Sequence, residues 1–408
     1  MEAASEADRR INRGALRGPL DGMAVAVKDN LAVAGTSCTA GLEGRADVIA
    51  AKDAGVVSRL RAAGAVLLGG LNMHEAALGG TTDNAHFGAC LNPLAPGYTP
   101  GGSSGGSGAA VAAGLVEMAL GSDTMGSVRL PAAYCGVIGL KPTPGLIGRS
   151  GFVYLSPSLD TIGPLVRDAH LIWPVLNVLA GEDAGDPGSL PAPLGWADRP
   201  DRVDFAGLRF GMPRQLADVD CEPAVLQGLD RARVAIGDLG GSVVDVDLAD
   251  WEPHQARRAG LLVIEAEGAV ELADLMTTPG AMTDGLAAML AYGRDLPARK
   301  LVNAWSTARA AGNAALRALG TVDGVLMPTA PQRAFPHTAE PPANQADLTA
   351  LANFAGCPAV AMPVAGQGLP ASVQVVSRPR SEAELIRWTE ILAPALNPPS
   401  GGAATGVV

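Results

Sequence analysis

The sequence predicts an α/β fold: one large domain with a mixed, mostly parallel β-sheet core covered by helices on both faces. Three observations carry that expectation. A near-continuous apolar run over 23–27 ends at Lys28, the pattern of a strand buried on both faces of a sheet. The stretch AAKDAGVVSRLRAAG, 50–64, then puts Ala, Val and Leu on one helical face and Lys, Asp and Arg on the other. A second apolar run, AVLLGGLNM, follows at once and reads as another buried strand. Strand, helix and strand in that order are the unit from which covered parallel sheets are built.

Taken in order, residues 1–20 read as a polar helix and turn, and 21–396 as the body of the domain. Its core covers 21–175, where the joining segment after the glycine-serine cluster at 101–108 reads as a buried helix. Strand pieces joined by turns are expected over 136–167, where Pro142, Pro144, Gly145 and Gly148 punctuate the chain. A break rich in Pro, Gly and Asp follows over 183–202. An outer helical layer is expected over 203–320, capping the mouth of the site, with strands at LRFGMP and SVVDVDL and helices over 222–239, 255–276 and 297–319. The segment 321–396 returns to the core through strands at 325–327 and 371–377. The last residues, 397–408, have no apolar periodicity and are expected to be a disordered tail.

With 408 residues and 48% hydrophobic content, the chain can bury a large core. A net charge of −11 argues against a phosphate backbone as partner, because that role needs a basic patch; no nucleic acid is expected. Cys38, Cys90, Cys135, Cys221 and Cys357 are scattered, with no C-x-x-C pair and no Cys/His cluster at metal-ligand spacing. Reduced thiols and no metal are the expectation. The N-terminus shows no apolar signal-peptide core, and no run reaches the roughly 18 apolar residues of a membrane helix. A cytoplasmic location without membrane contact is expected.

The chemistry concentrates in residues 100–129, PGGSSGGSGAAVAAGLVEMALGSDTMGSVR. One glycine-rich cluster carries Ser103, Ser104 and Ser107, the other Ser122 and Ser127. Glycine lets a backbone take unusual angles or approach another group closely, and the N–H groups of the second cluster can converge on one point, as an oxyanion hole requires. A serine needs a base to act as a nucleophile. None of the histidines (His74, His86, His170, His254, His337) is near in sequence. Lys28 stands at the carboxyl end of its strand, where open α/β sheets place their ligands, and serine with lysine is an established variant of the triad. The flanking PG and apolar segment weigh against a flexible linker, and GxxxxGK[ST] is absent. Ser104 and Ser107 are expected to cap the following helix, and His74 and His86 to be structural.

Lys28 in AVKDN, then PGGSSGGSGAAVAAG, then LGSDTMGSVRLPAAYCGVIGLKPT resemble the amidase signature family. The resemblance is strong over 28–167 and returns at 323–329 and 353–374. It implies hydrolysis of an amide C–N bond by a Ser–cis-Ser–Lys triad. Ser127 would be the nucleophile. Ser103, following a cis peptide bond from Gly102, would shuttle the proton, and a neutral Lys28 would be the base. It further implies an oxyanion hole from the backbone N–H groups of Thr124, Met125, Gly126 and Ser127, and a supporting Asp123–Arg129 ion pair. Gly79, Gly80 and Thr81 are expected at the substrate, with Phe152, Tyr154 and Leu155 as candidates for its wall. Met125 stands where the family's turn usually has glycine. No cofactor is implied.

The leading expectation is a stand-alone amidase converting a small, neutral amide to carboxylate plus amine or ammonia through a serine acyl-enzyme. One alternative is the glutamine-hydrolysing subunit of an amidotransferase complex. Those subunits typically carry glutamine where this chain has Leu130 and are longer, which favours the stand-alone reading. A second alternative, suggested by the SDTMGS turn, is a ureido-compound (biuret-type) amidohydrolase. A degenerate scaffold is disfavoured by the intact Lys28, Ser103 and Ser127. The oligomeric state is open, a homodimer included.

Overall fold

The computed structural model describes residues 1–193, 196 and 203–397. Part of the break expected over 183–202, and nearly all of the tail expected over 397–408, lie outside the described residues.

The strands in chain order are β1 (Ala24–Lys28), β2 (Val66–Leu71), β3 (Asp83–Asn84), β4 (Gly88–Ala89), β5 (Met118–Asp123) and β6 (Ile138–Lys141). They continue as β7 (Thr161–Val166), β8 (Arg209–Pro213), β9 (Ser242–Val246), β10 (Gly324–Pro328), β11 (Ala359–Val364) and β12 (Ala371–Val376). Apart from the β3–β4 pair, they form one ten-stranded sheet in the order β2-β1-β5-β7-β6-β11-β12-β10-β8-β9. Parallel pairing occupies the two wings, β2-β1-β5 and β10-β8-β9. The centre, from β5 through β7, β6, β11 and β12 to β10, is antiparallel. Only a short loop, 365–370, joins β11 to β12, too little for the crossover that a parallel pair needs.

Alternate strand residues supply the two faces. Val25 and Val27, Met118 and Leu120, and Val360 and Met362 belong to one core cluster; Ala26, Ala119 and Ala361 belong to another. Helices Gly55–Ala62, Ile172–Leu179, Pro223–Asp238 and Glu382–Leu396 pack on the bulky side. On the small-residue side, Gly105–Ala112 and Arg129–Cys135 come in close against the alanines. Covered faces are what the sequence predicts.

Several local expectations change. β2 is the edge of the sheet and half-exposed rather than buried, with Leu68 59% exposed, because among the described residues nothing pairs with its outer side. The segment between the serine clusters is helical only over Gly105–Ala112. Gly114 takes a φ of +72° and turns the chain into β5, all of it buried. A short apolar run cannot be told from a helix by periodicity alone. Residues 203–320 give β8 and β9 to the sheet besides helices Pro253–Glu271, Asp284–Arg294 and Ala298–Leu319.

Candidate active site

β1 and β5 lie side by side and parallel, so their carboxyl ends bring Lys28 and Ser122 together. Lys28 is fully buried, with Nζ 2.7 Å from Ser103 Oγ and 2.8 Å from Ser122 Oγ. Asn30 Nδ2 donates to the same Ser122 hydroxyl at 3.1 Å. Burial pushes the Lys28 ammonium down to about 7, against the pull of the Asp160 and Asp123 carboxylates, which favour the charged form. Near neutral pH, then, a substantial share of the amine carries a lone pair that can take a proton from Ser103.

The Gly102–Ser103 peptide bond is cis. Glycine at 102 permits the close approach of the 79–81 loop, since a Cβ there would stand 2.7 Å from Thr81 N and 2.8 Å from the Gly79 carbonyl oxygen. Neighbouring backbone and side chains grip the serine segment: His74 N–H donates to the Ser103 carbonyl at 3.1 Å and Thr82 Oγ1 to the Gly101 carbonyl at 2.7 Å. Ser104 occupies the N-cap position of helix Gly105–Ala112 but makes no side-chain cap bond. Its hydroxyl instead donates to the Ser122 carbonyl at 3.1 Å, and Ser107 Oγ donates to that of Leu120 at 2.9 Å. Both serines fasten the helix to β5, and the Ser104 hydroxyl also accepts the Ser122 N–H at 3.2 Å in place of an N–H of the helix start.

The turn after β5 is held by a buried ion pair. Arg129 Nη2 lies 3.0 Å from Asp123 Oδ1, and both side chains are inaccessible to solvent. Arg129 also donates to the Thr349 carbonyl, Gln374 Oε1 and Asn353 Oδ1, while Asn353 Nδ2 donates to Asp123. Burial alone would raise the Asp123 carboxyl; Arg129, Lys141 and Asn353 outweigh it and hold the group at about 2. The same carboxylate accepts the Gly126 N–H at 2.8 Å, so of the four expected oxyanion donors this one is already engaged. Gly126 has φ +131°, and a Cβ there would stand 2.3 Å from Thr349 Oγ1, which leaves glycine as the residue that fits. Asp160, fully buried, accepts Thr124 Oγ1 at 2.6 Å and the N–H groups of Leu155 and Ser156 at 2.9 Å.

A cavity of about 200 Å³ opens at this turn. Gly79, Gly80, Gly102, Thr124, Met125 and the half-buried Ser127 line it, with Leu78, Leu130, Leu155, Leu261, Ile264 and Met289 as apolar wall. Thr81 lies outside this lining, its hydroxyl 3.3 Å from His74 Nδ1. Tyr154 lies outside it too: its ring packs edge-on against Phe152 and beneath the Arg149 guanidinium. Of the wall candidates, Leu155 alone reaches the cavity. Burial first of all depresses His74, to about 4, and His86 Nε2 lies 3.1 Å from Glu75 Oε1. All five cysteines are free, and among the described residues no group of three or more His, Cys, Asp or Glu could hold a metal ion.

Sequence reasoning missed Ser122 and Asn30 beside Lys28, and Arg257 and Gln345 in the cavity. Ser122 had a signal, its place in the second glycine-rich cluster; the other residues had none.

A family model described as Amidase matches residues 1–386. The chain belongs to the amidase signature family. This amidase is accordingly a hydrolase of C–N bonds. It is 36% identical to a glutamyl-tRNA(Gln) amidotransferase subunit from Anaeromyxobacter sp. (strain K), over 97% of this chain and 87% of that one. Its match to the same amidotransferase subunit from Salinibacter ruber is 45% identical but spans 65% of this chain and 51% of the relative. Among solved structures it resembles that subunit from Thermotoga maritima, with a TM-score of 0.80 and 30% identity, covering 91% and 82% of the two chains. A structure described as a vestigial protein complex revealing the evolutionary origins of an s-triazine catabolic enzyme matches with a TM-score of 0.88 and 33% identity, covering 96% and 88%. Among the described residues no helix of this amidase is long and apolar enough to cross a membrane.

Proposed function

We propose that this amidase cleaves the C–N bond of a small carboxamide through an acyl-enzyme on Ser127. The observation that carries the reading is the 2.7 Å contact between Ser103 Oγ and Lys28 Nζ, a lysine that burial keeps partly neutral near pH 7. Ser127 Oγ attacks the carbonyl carbon, and its proton passes by way of Ser103 Oγ to Lys28 Nζ. The N–H groups of Thr124, Met125 and Ser127 receive the oxyanion, since that of Gly126 is bound to Asp123. Collapse breaks the C–N bond, and the amine leaves with the proton returned from Lys28 through Ser103. Water then attacks the ester, its proton passing through Ser103 Oγ to Lys28 Nζ, and collapse returns that proton to Ser127 Oγ and releases the carboxylic acid.

Purified Ser127→Ala, Ser103→Ala and Lys28→Ala variants test this on a panel of aliphatic, aryl and ureido amides. Each loses roughly 10²–10⁴-fold or more in kcat, and the losses do not add, because the groups act as a unit. A Lys28→Ala enzyme keeping a tenth of wild-type turnover would refute the lysine base.

As to the amide itself, the relatives' names support glutamine and work within a complex better than a stand-alone enzyme on a neutral amide. Leu130, which lines the cavity, is the residue on the other side of that balance. Glutamine hydrolysis measured with the chain alone, and again with added amidotransferase partner proteins, separates the two. Dependence on the partners favours the complex.

A further inference from the structure

Away from Thr124 and Ser127 at the turn, the side chains lining the cavity are apolar except at one wall. There Arg257, on helix Pro253–Glu271, and Gln345 line it. Among the described residues Arg257 is the one charged side chain in the lining. Its side chain is 12% exposed and fixed from behind: Nε donates to Asp347 Oδ1 at 2.6 Å, and Nη2 lies 3.2 Å from His254 Nδ1. Nη1 has no hydrogen-bond partner among the described residues. Gln345 is 8% exposed, and Tyr134 OH donates to its Oε1 at 3.3 Å. Its Nε2 group likewise has no partner among the described residues. The wall therefore offers N–H donors from two pre-oriented groups and has its acceptors already engaged. A planar guanidinium held through Nε and Nη2 still presents the N–H groups of Nη1 to a carboxylate.

We infer that Arg257 and Gln345 form a carboxylate-recognition subsite, and that the substrate is an amide whose far end carries a carboxylate. This rests on the proposed amide hydrolysis at Ser127. It narrows the substrate class from small carboxamides in general to the amide of a short dicarboxylic acid or amino acid, glutamine among them. Asp347 positions the guanidinium and leaves the subsite near neutral when empty, so the entering carboxylate meets a fixed donor pair in a water-poor wall.

The test compares two substrates differing at that end alone, glutaric acid monoamide and glutaramide, with glutamine as a third. The ratio of kcat/KM for the first two is read within each enzyme preparation, so partial misfolding cancels. Wild type is expected to prefer the monoamide by about 10-fold to 100-fold, the range of one charge-assisted hydrogen bond. Arg257→Met paired with Asp347→Asn, which leaves no buried charge uncompensated, brings the ratio near one, and Gln345→Leu lowers it in part. Equal kcat/KM for both substrates in wild type, or an unchanged ratio in these variants, overturns the inference. Binding of glutarate to Ser127→Ala enzyme, followed by calorimetry, separates the two readings. Arg257-dependent binding without turnover of any amide by wild type sustains the subsite and sinks the amide hydrolysis at Ser127. Turnover of amides with no carboxylate preference and no glutarate binding does the opposite.

Discussion

The Ser122 hydroxyl lies 2.8 Å from Lys28 Nζ and also accepts Asn30 Nδ2 at 3.1 Å. A neutral amine that takes a proton from Ser103 must point its own N–H bonds elsewhere, and Ser122 gives one of them a fixed acceptor. Ser122→Ala removes that acceptor and leaves the Asn30 amide without its partner in a buried site. We expect kcat to fall about 10-fold, roughly the worth of one hydrogen bond, with KM little changed. Steady-state kinetics on the best panel substrate decide it; an unchanged kcat would make Ser122 a spectator.

The depressed Lys28 fixes the direction of the pH dependence. Under the proposed mechanism activity requires the neutral amine, so kcat/KM is expected to rise with pH through an inflection near 7 and level above it. Stability follows the same sign. Between about 7 and the ordinary lysine value of 10.5 the unfolded chain holds a proton that the native Lys28 lacks, so folding strengthens as pH rises across that window. Lys141, fully buried and pushed down to about 8 chiefly by burial, adds to it. Lys28→Met should accordingly gain most over wild type at about pH 7 and lose that advantage toward pH 10, read by melting temperature. An advantage growing with pH would contradict a neutral buried lysine.

Arg129 is the most connected side chain of the site, bound to Asp123, Thr349, Asn353 and Gln374 with no solvent contact. Removing one partner of a buried pair leaves an uncompensated charge and costs about 3–5 kcal/mol. Arg129→Met is expected to lower unfolding free energy by that amount in denaturant titration. A loss under about 1 kcal/mol would mean that the network relaxes around the gap.

Met125 lies between cavity and helix Pro253–Glu271. A Cβ at Gly260 would stand 2.5 Å from its Sδ and 2.5 Å from Phe354 Cζ. Met125→Gly should widen the acyl side, raise KM for small amides and improve relative kcat/KM for bulkier ones. Gly260→Ala should do the reverse by pushing the thioether into the cavity. Equal losses for small and bulky amides in Met125→Gly would take the side chain out of substrate selection.

The placement of the candidate site was legible where it is written locally. Lys28 ends an apolar run, and Ser103 and Ser127 sit in glycine-rich clusters whose backbone needs show in the residues themselves. Strand direction was not: β6, β7, β11 and β12 read as apolar runs, and such a run says nothing about which way its neighbour points. Arg257 and Gln345 were invisible for another reason. An arginine on a helix and a glutamine in a loop are ordinary surface residues until two distant segments fold over Ser127.

The anchors of the 123–129 turn have one more consequence. Asn353, which braces Asp123, comes 230 residues later in the chain, and Gln374, which braces Arg129, comes 245 later. The ribosome therefore releases the turn, with its local Asp123–Arg129 pair, long before Asn353 and Gln374 exist to brace it. Under the proposed mechanism, hydrolytic competence is expected only once translation has reached the closing strands, and the glycine-serine stretch is no portable cassette. Prematurely terminated products that keep Lys28, Ser103 and Ser127 but stop before 349 are expected to be inert.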